Sequence, residues 1–135
     1  MSTILTRAGK GSPLTNAEMD TNFTNLNTDK LELLINSITT GATITPGAGD
    51  WQYNITALAE ATIIAAPSGT PIHGKKLIIR IKDNGTGRAI TWNAIYRIIG
   101  TTLPVTTVAN KTIYVGCEYN LTDLKWDVLA VGQEA

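Results

Sequence analysis

Residues 76–85 read KLIIRIKDNG, and the reading of this stretch decides the fold class. Leu77, Ile79 and Ile81 alternate with Ile78, Arg80 and Lys82, the period-two pattern of a strand with one buried and one mostly wet face. The step Asp83-Asn84-Gly85 that follows is a hairpin signal. The same two-residue rhythm recurs on both sides, in Trp51–Leu58, Ala61–Ala65, Ala89–Trp92, Ile95–Ile99, Lys111–Tyr119 and Lys125–Val131. Turn-forming stretches separate them: PSGTPIHGK, DNGTGR and NLTD, the last a four-residue turn from Asn120 to Asp123. Seven short strands over residues 51–135 predict a mainly β domain, a compact antiparallel β-sandwich of jelly-roll-like form.

Upstream the pattern changes. Residues 37–50, SITTGATITPGAGD, have the composition of a linker. Residues 15–36 predict the one helix. Thr15 is a good N-cap and Glu18 completes a capping box, with Leu14 and Met19 spaced for a hydrophobic staple and Pro13 barring extension backwards. Met19, Phe23, Leu26, Lys30 and Leu33 step by four and three, the a/d rhythm of a coiled coil. Leu31, Leu33, Leu34, Ile35 and Ile38 make the end of this segment apolar all round, which predicts burial at the junction with the β-domain. The helix is built from weak material. Asn16, Asp20, Thr21, Asn22, Thr24, Asn25, Asn27, Thr28 and Asp29 each cost about half a kcal/mol of helicity relative to Ala. Such a helix needs a partner for its apolar stripe, either the β-domain or further copies of the chain; the stripe rhythm and Lys30 in its seam favour self-association. Residues 1–14, with Gly9, Gly11 and Pro13, predict an extended arm.

Composition narrows the function classes. The 135 residues carry 11 basic and 11 acidic side chains, with no basic run longer than Lys75-Lys76, so phosphate-driven nucleic-acid binding has little electrostatic support. No apolar run approaches membrane-spanning length, and the N-terminal residues lack a signal-peptide core. Asn-x-Thr occurs at Asn22, Asn54, Asn84, Asn110 and Asn120, which in this Asn/Thr-rich chain reads as composition. Cys117, the single cysteine, sits in a strand pattern as a small hydrophobe, and His73, the single histidine, sits in a turn. The acids Asp83, Glu118, Asp123 and Asp127 show no spacing that pairs two of them for glycoside hydrolysis. Gly47-Ala48-Gly49 and Gly85-Thr86-Gly87 precede no helix, so no phosphate loop is indicated. The reading is of a non-enzymatic protein without metal or cofactor. Among its aromatics Trp92, beside the polar turn at Asn93, is the candidate for facing a ligand.

AGKGSPLTNAEMDTNFTNLN, residues 8–27, resembles the KGSPLT-x-x-E-x-D-x-N-F-x-N-L signature near the N-terminus of many bacteriophage tail-fibre and virion appendage proteins. The match runs from Lys10 to Leu26. The stretch ATIIAAPSGTPIHGKKLIIRIKDNGTGRAITWNAIYR, with YVGCEYN and KWDVLAV after it, resembles a β-module of phage structural proteins. The resemblance implies attachment to the virion, usually as a homotrimer, through Lys10, Gly11, Ser12, Pro13, Leu14, Thr15, Glu18, Asp20, Asn22, Phe23, Asn25 and Leu26. The expected protein is then a short trimeric fibre in the virion, assembled in the host cytoplasm, whose partners are its own copies and other tail or capsid proteins. A chain ending at Ala135 also suits a head fibre or capsid decoration protein, or a module recognising a host surface glycan.

Overall fold

The structure, a computed structural model, describes residues 4–29 and 33–135. It divides into two compact units, Met1–Glu32 and Leu33–Ala135.

The larger unit is mainly β. Its strands are β1 (Ile35–Ile38), β2 (Thr43–Ile44), β3 (Gln52–Leu58), β4 (Thr62–Ile64), β5 (Lys76–Asp83), β6 (Ile90–Trp92), β7 (Tyr96–Ile98), β8 (Thr112–Asn120) and β9 (Lys125–Gln133). The seven strands read from alternation are all present, shifted by a residue or two at their ends. The antiparallel arrangement is not. Strands β1, β3 and β5 pair parallel in one sheet, and β2, β4 and β6 pair parallel in a second. Consecutive strands therefore alternate between sheets, and the chain winds as three coils of a short two-sheeted solenoid: β1–β2, β3–β4 and β5–β6. Antiparallel pairing begins only where β8 runs back along β5 and forms a hairpin with β9; β7 then lies parallel to β9 at the far edge. The larger sheet has the order β1-β3-β5-β8-β9-β7.

The Asp83-Asn84-Gly85 step is not a hairpin, and the reason is chemical. The buried Asp83 carboxylate accepts from the Gly85 amide at 2.7 Å, the Asn110 amide at 3.2 Å and the Thr107 hydroxyl at 2.5 Å. These bonds turn the chain out of the larger sheet toward β6. By contrast, the Asn120–Asp123 turn joins β8 to β9 as its residues suggest, with Asn120 Oδ1 accepting from the amides of Thr122 and Asp123.

In-register stacking explains the core. Ile38 pairs with Ile55, Ile55 with Ile81 and Ile81 with Ile113, so one column of isoleucines crosses four strands. A second column runs Tyr53–Ile79–Val115–Val131 and a third Leu77–Cys117–Val128. Ile44, Ile64 and Ile90 from the smaller sheet face these columns within the same buried cluster. Each fully buried aliphatic contributes on the order of 1.5–3 kcal/mol relative to exposure.

The residues read as linker and as helix end are also strand. Leu34 O accepts from the amides of Trp51 at 2.8 Å and Gln52 at 3.3 Å, which draws Ile35–Ile38 to the edge of β3. The expected burial of this stretch fails with the expected helix: Leu33, Leu34 and Ile35 are all exposed and only Ile38 packs on the core. Leu31 lies outside the described residues.

The smaller unit holds α1 (Arg7–Lys10) and α2 (Asn16–Asp29). The arm is thus not simply extended. Thr6 caps α1 by accepting from the Gly9 amide at 3.1 Å, and Gly11 ends it in the left-handed region at φ 75°. Helix α2 is described through Asp29, and the expected helix does not reach residue 36, since Leu33 and Leu34 are not helical and Ile35–Ile38 is strand.

If the stacked columns carry the larger unit, Ile79→Ala should lower its unfolding free energy by about 2–5 kcal/mol. Ile72→Ala, at a side chain 73% exposed, should change it by less than about 0.5 kcal/mol. Chemical denaturation followed by tryptophan fluorescence reads both; equal costs would place the core elsewhere.

Candidate functional site

The residues that the resemblance assigns to attachment fall into two groups with different structural roles. The polar ones fold the N-terminal unit upon itself. Thr15 and Glu18 form the expected capping box: the Glu18 amide donates to Thr15 Oγ1 at 3.2 Å and the Thr15 amide donates to Glu18 Oε2 at 2.7 Å. Lys10 reaches the same carboxylate as an ion pair and also donates to Pro13 O at 3.3 Å, closing the turn between α1 and α2. Asn22 holds the arm by both ends of its amide, accepting from the Leu5 amide at 2.8 Å and donating to Leu5 O at 2.7 Å. Two helix threonines are satisfied locally, Thr21 on Ala17 O at 2.8 Å and Thr24 on Asp20 O at 2.9 Å. The weak helix formers are therefore not idle: Asn22, Thr21 and Thr24 trade helix propensity for hydrogen bonds.

Glu18 is the electrostatic centre of this unit. The Lys10 ammonium, then the Thr15 amide and hydroxyl, hold its carboxyl at about 2, well below the usual 4.5. Ser12 and Asp20 are exposed, while Leu14 and Asn25 are half-buried.

The apolar members form the second group. Phe23 is 70% exposed and Leu26 63%, with Met19 beside them at 39%. Three exposed large side chains at a four-three spacing on one helix form a contiguous apolar stripe. The longer seam is shortened by the structure. Lys30 lies outside the described residues, and Leu33 belongs to the second unit, beyond the end of α2.

In the β-unit, Trp92 is half-buried rather than open at the surface. Its indole N–H donates to Pro104 O at 2.7 Å and its ring meets Tyr96 edge-on at 5.3 Å, packed against the core. The exposed aromatic is instead Tyr114, at 46%. Period two alone puts Tyr114 on the face opposite Val115, but which face is wet depends on the sheet's packing.

Of the candidate acids Asp83 stands apart, while Glu118, Asp123 and Asp127 lie together at one end of the β8–β9 hairpin. Burial pushes Asp83 up, but the bonds from Thr107, Gly85 and Asn110 together hold it below the usual carboxylate range. Asp127 and Asp123 share Arg97, at 2.6 and 2.8 Å, an arrangement that ties edge strand β7 to the β8–β9 hairpin. That pairing, against the burial that opposes it, lowers Asp127, and raises Arg97 above its already high value. Glu118 pairs with Lys76. Sequence distance hid one juxtaposition: His73, Glu118, Asn120 and Asp127 line a polar hollow of about 280 Å³. There His73 Nδ1 accepts from the Leu121 amide at 3.1 Å. Cys117 is a core residue whose thiol burial pushes up to about 12. Among the described residues no group of His, Cys, Asp and Glu side chains suits a metal ion, and no helix is long and apolar enough to cross a membrane.

Comparison with protein-family models, with curated proteins and with solved structures finds no match.

Because the folded Glu18 carboxyl sits near 2 and the unfolded one near 4.5, its contribution to the N-terminal unit is present above 4.5 and lost as pH falls toward 2. The Thr15 amide resonance, which reports the bond to Glu18, should titrate with a midpoint near 2 and cease to do so in Glu18→Gln. A midpoint near 4.5 would mean that the Lys10–Glu18–Thr15 cluster is not formed.

Proposed function

We propose that this chain is a non-enzymatic bacteriophage virion structural protein, a homotrimeric fibre anchored through its N-terminal unit and displaying the β-unit. The observation that carries the reading is the exposed Met19, Phe23 and Leu26 stripe, beside Lys10, Thr15, Glu18 and Asn22, which are already engaged within the unit. A phenylalanine 70% exposed gains little for an isolated unit, whereas burying it and Leu26 fully between chains contributes up to the order of 1.5–3 kcal/mol per side chain. The resemblance of Lys10–Leu26 to the attachment signature gives that burial a setting: further copies of this chain, and a tail or capsid protein at the anchor.

Two features of the β-unit support display on a fibre. β1 lies at the edge of its sheet, with Leu33, Leu34 and Ile35 exposed beside it, and an open apolar edge invites a neighbouring chain. At the opposite side the sheet ends in the short strand β7, clamped by Arg97 onto Asp123 and Asp127. Head-fibre and capsid-decoration roles are variants of the same proposal and differ only in the protein that receives the anchor.

Sedimentation equilibrium of the full chain tests the reading. The wild type should have the mass of three chains, and Phe23→Asp should shift it to one while leaving the β-unit's thermal unfolding unchanged. A wild type that stays monomeric throughout the micromolar range, or a Phe23→Asp variant that stays trimeric, would overturn it.

A further inference from the structure

The outer face of the larger sheet has a feature that neither fibre assembly nor fold stability uses. Along β5 the basic side chains Lys76, Arg80 and Lys82 all point outward. Lys76 is matched by Glu118, and Lys82 by Glu134 at 3.6 Å. Arg80, between them, has no carboxylate partner among the described residues. Its Nε–H donates to the Tyr114 hydroxyl at 3.2 Å, with its guanidinium carbon 5.9 Å from the ring centroid, so the two Nη groups are left for another molecule.

The ground beside this guanidinium is hollow. Tyr114 pairs with Arg80 on one side and with Gly132 on the other, and Gly132 carries no side chain to fill the row. Gly132 has no left-handed backbone angle, and a Cβ there would meet nothing within 4 Å. A glycine within a strand costs stability and leaves the surface low. The result is an open trough of about 450 Å³ lined by Arg80, Thr112, Tyr114, Gly132, Gln133 and Glu134. That size lies in the roughly 300–1,000 Å³ range of small-ligand sites.

From these residues we infer that the trough is a binding site for a carboxylated sugar ring, a hexuronate unit of an acidic saccharide. The Arg80 fork matches a carboxylate, which it can hold with two parallel hydrogen bonds. The half-exposed Tyr114 ring offers a flat apolar face for the sugar's carbon skeleton. Gln133 and Glu134 supply an amide and a carboxylate for ring hydroxyls, with Glu134 already oriented by the Thr112 amide at 3.0 Å. Within the lining Arg80 and Glu134 balance, and Lys82, paired with Glu134 at 3.6 Å, adds a positive charge beside the trough. The inference stands on the β-unit alone and does not depend on the virion reading.

Isothermal titration of the full chain with a galacturonate oligomer, against a neutral galactose oligomer of equal length, tests it. The uronate should bind saturably and the neutral oligomer at least roughly tenfold more weakly, the weight of a charge-assisted pair. Arg80→Gln should bring uronate affinity down to the neutral level, Tyr114→Ala should weaken both, and Tyr114→Phe should keep most of the binding. Near-ultraviolet circular dichroism matching the wild type verifies that each variant is folded. Equal affinity for the two oligomers, no saturable binding of the uronate, or uronate binding unchanged in folded Arg80→Gln would each overturn the assignment.

Discussion

The larger unit depends on the register that stacks Ile38, Ile55, Ile81 and Ile113 in one column. In a parallel pair the backbone bonds tolerate many registers, and only side-chain complementarity selects one. A slip of one residue would turn every isoleucine of the column to the wet face and bring Arg80 and Lys82 inward. Because consecutive strands sit in different sheets, no hairpin fixes this register for β1 to β6, so the columns and the loops between coils must do so. Asp83 is the clearest of those loop devices. It gathers the start of one loop and two residues of another, Thr107 and Asn110, into a single buried knot.

The N-terminal unit uses a different economy. It contains none of the aliphatic core residues of the β-unit and is held by Lys10, Thr15, Glu18 and Asn22 through hydrogen bonds and one partly exposed ion pair. Exposed pairs of this kind contribute little individually. Under the proposed trimer, a unit so lightly held, with Phe23 and Leu26 outside, would gain most of its order by association. Polar residues that set shape and exposed apolar residues are thus interleaved along the same short stretch, Lys10 to Leu26.

Much of this was readable in the sequence, and the unread parts share a physical cause. Alternation located β3 to β9 because each strand has one buried face, and the capping box located the start of α2 because Thr15 and Glu18 act within one turn. Parallel pairing was not readable: period two is the same for either direction of the neighbouring strand. Leu33, Leu34, Ile35 and Ile38 satisfied a helical spacing as well as a strand's, and the competing partner, the Trp51 amide, lies far along the chain. The Asp83-Asn84-Gly85 step has the residues of a tight turn, but its carboxylate is bound by Thr107 and Asn110. Trp92 was misplaced for the same reason, since Pro104 O and Tyr96 claim its indole, and the meeting of Arg80 with Tyr114 exists only once β5 and β8 are paired. Local chemistry was visible; contacts closed by the fold were not.

The proposal that joins the two units into one function is that the chain is built into a virus particle in sets of three. Quantitative mass spectrometry of the purified particles to which that proposal assigns the chain, with the major capsid protein as internal standard, tests the claim most directly. The account predicts that the chain is present, in a copy number divisible by three. Its absence from purified particles would contradict the account.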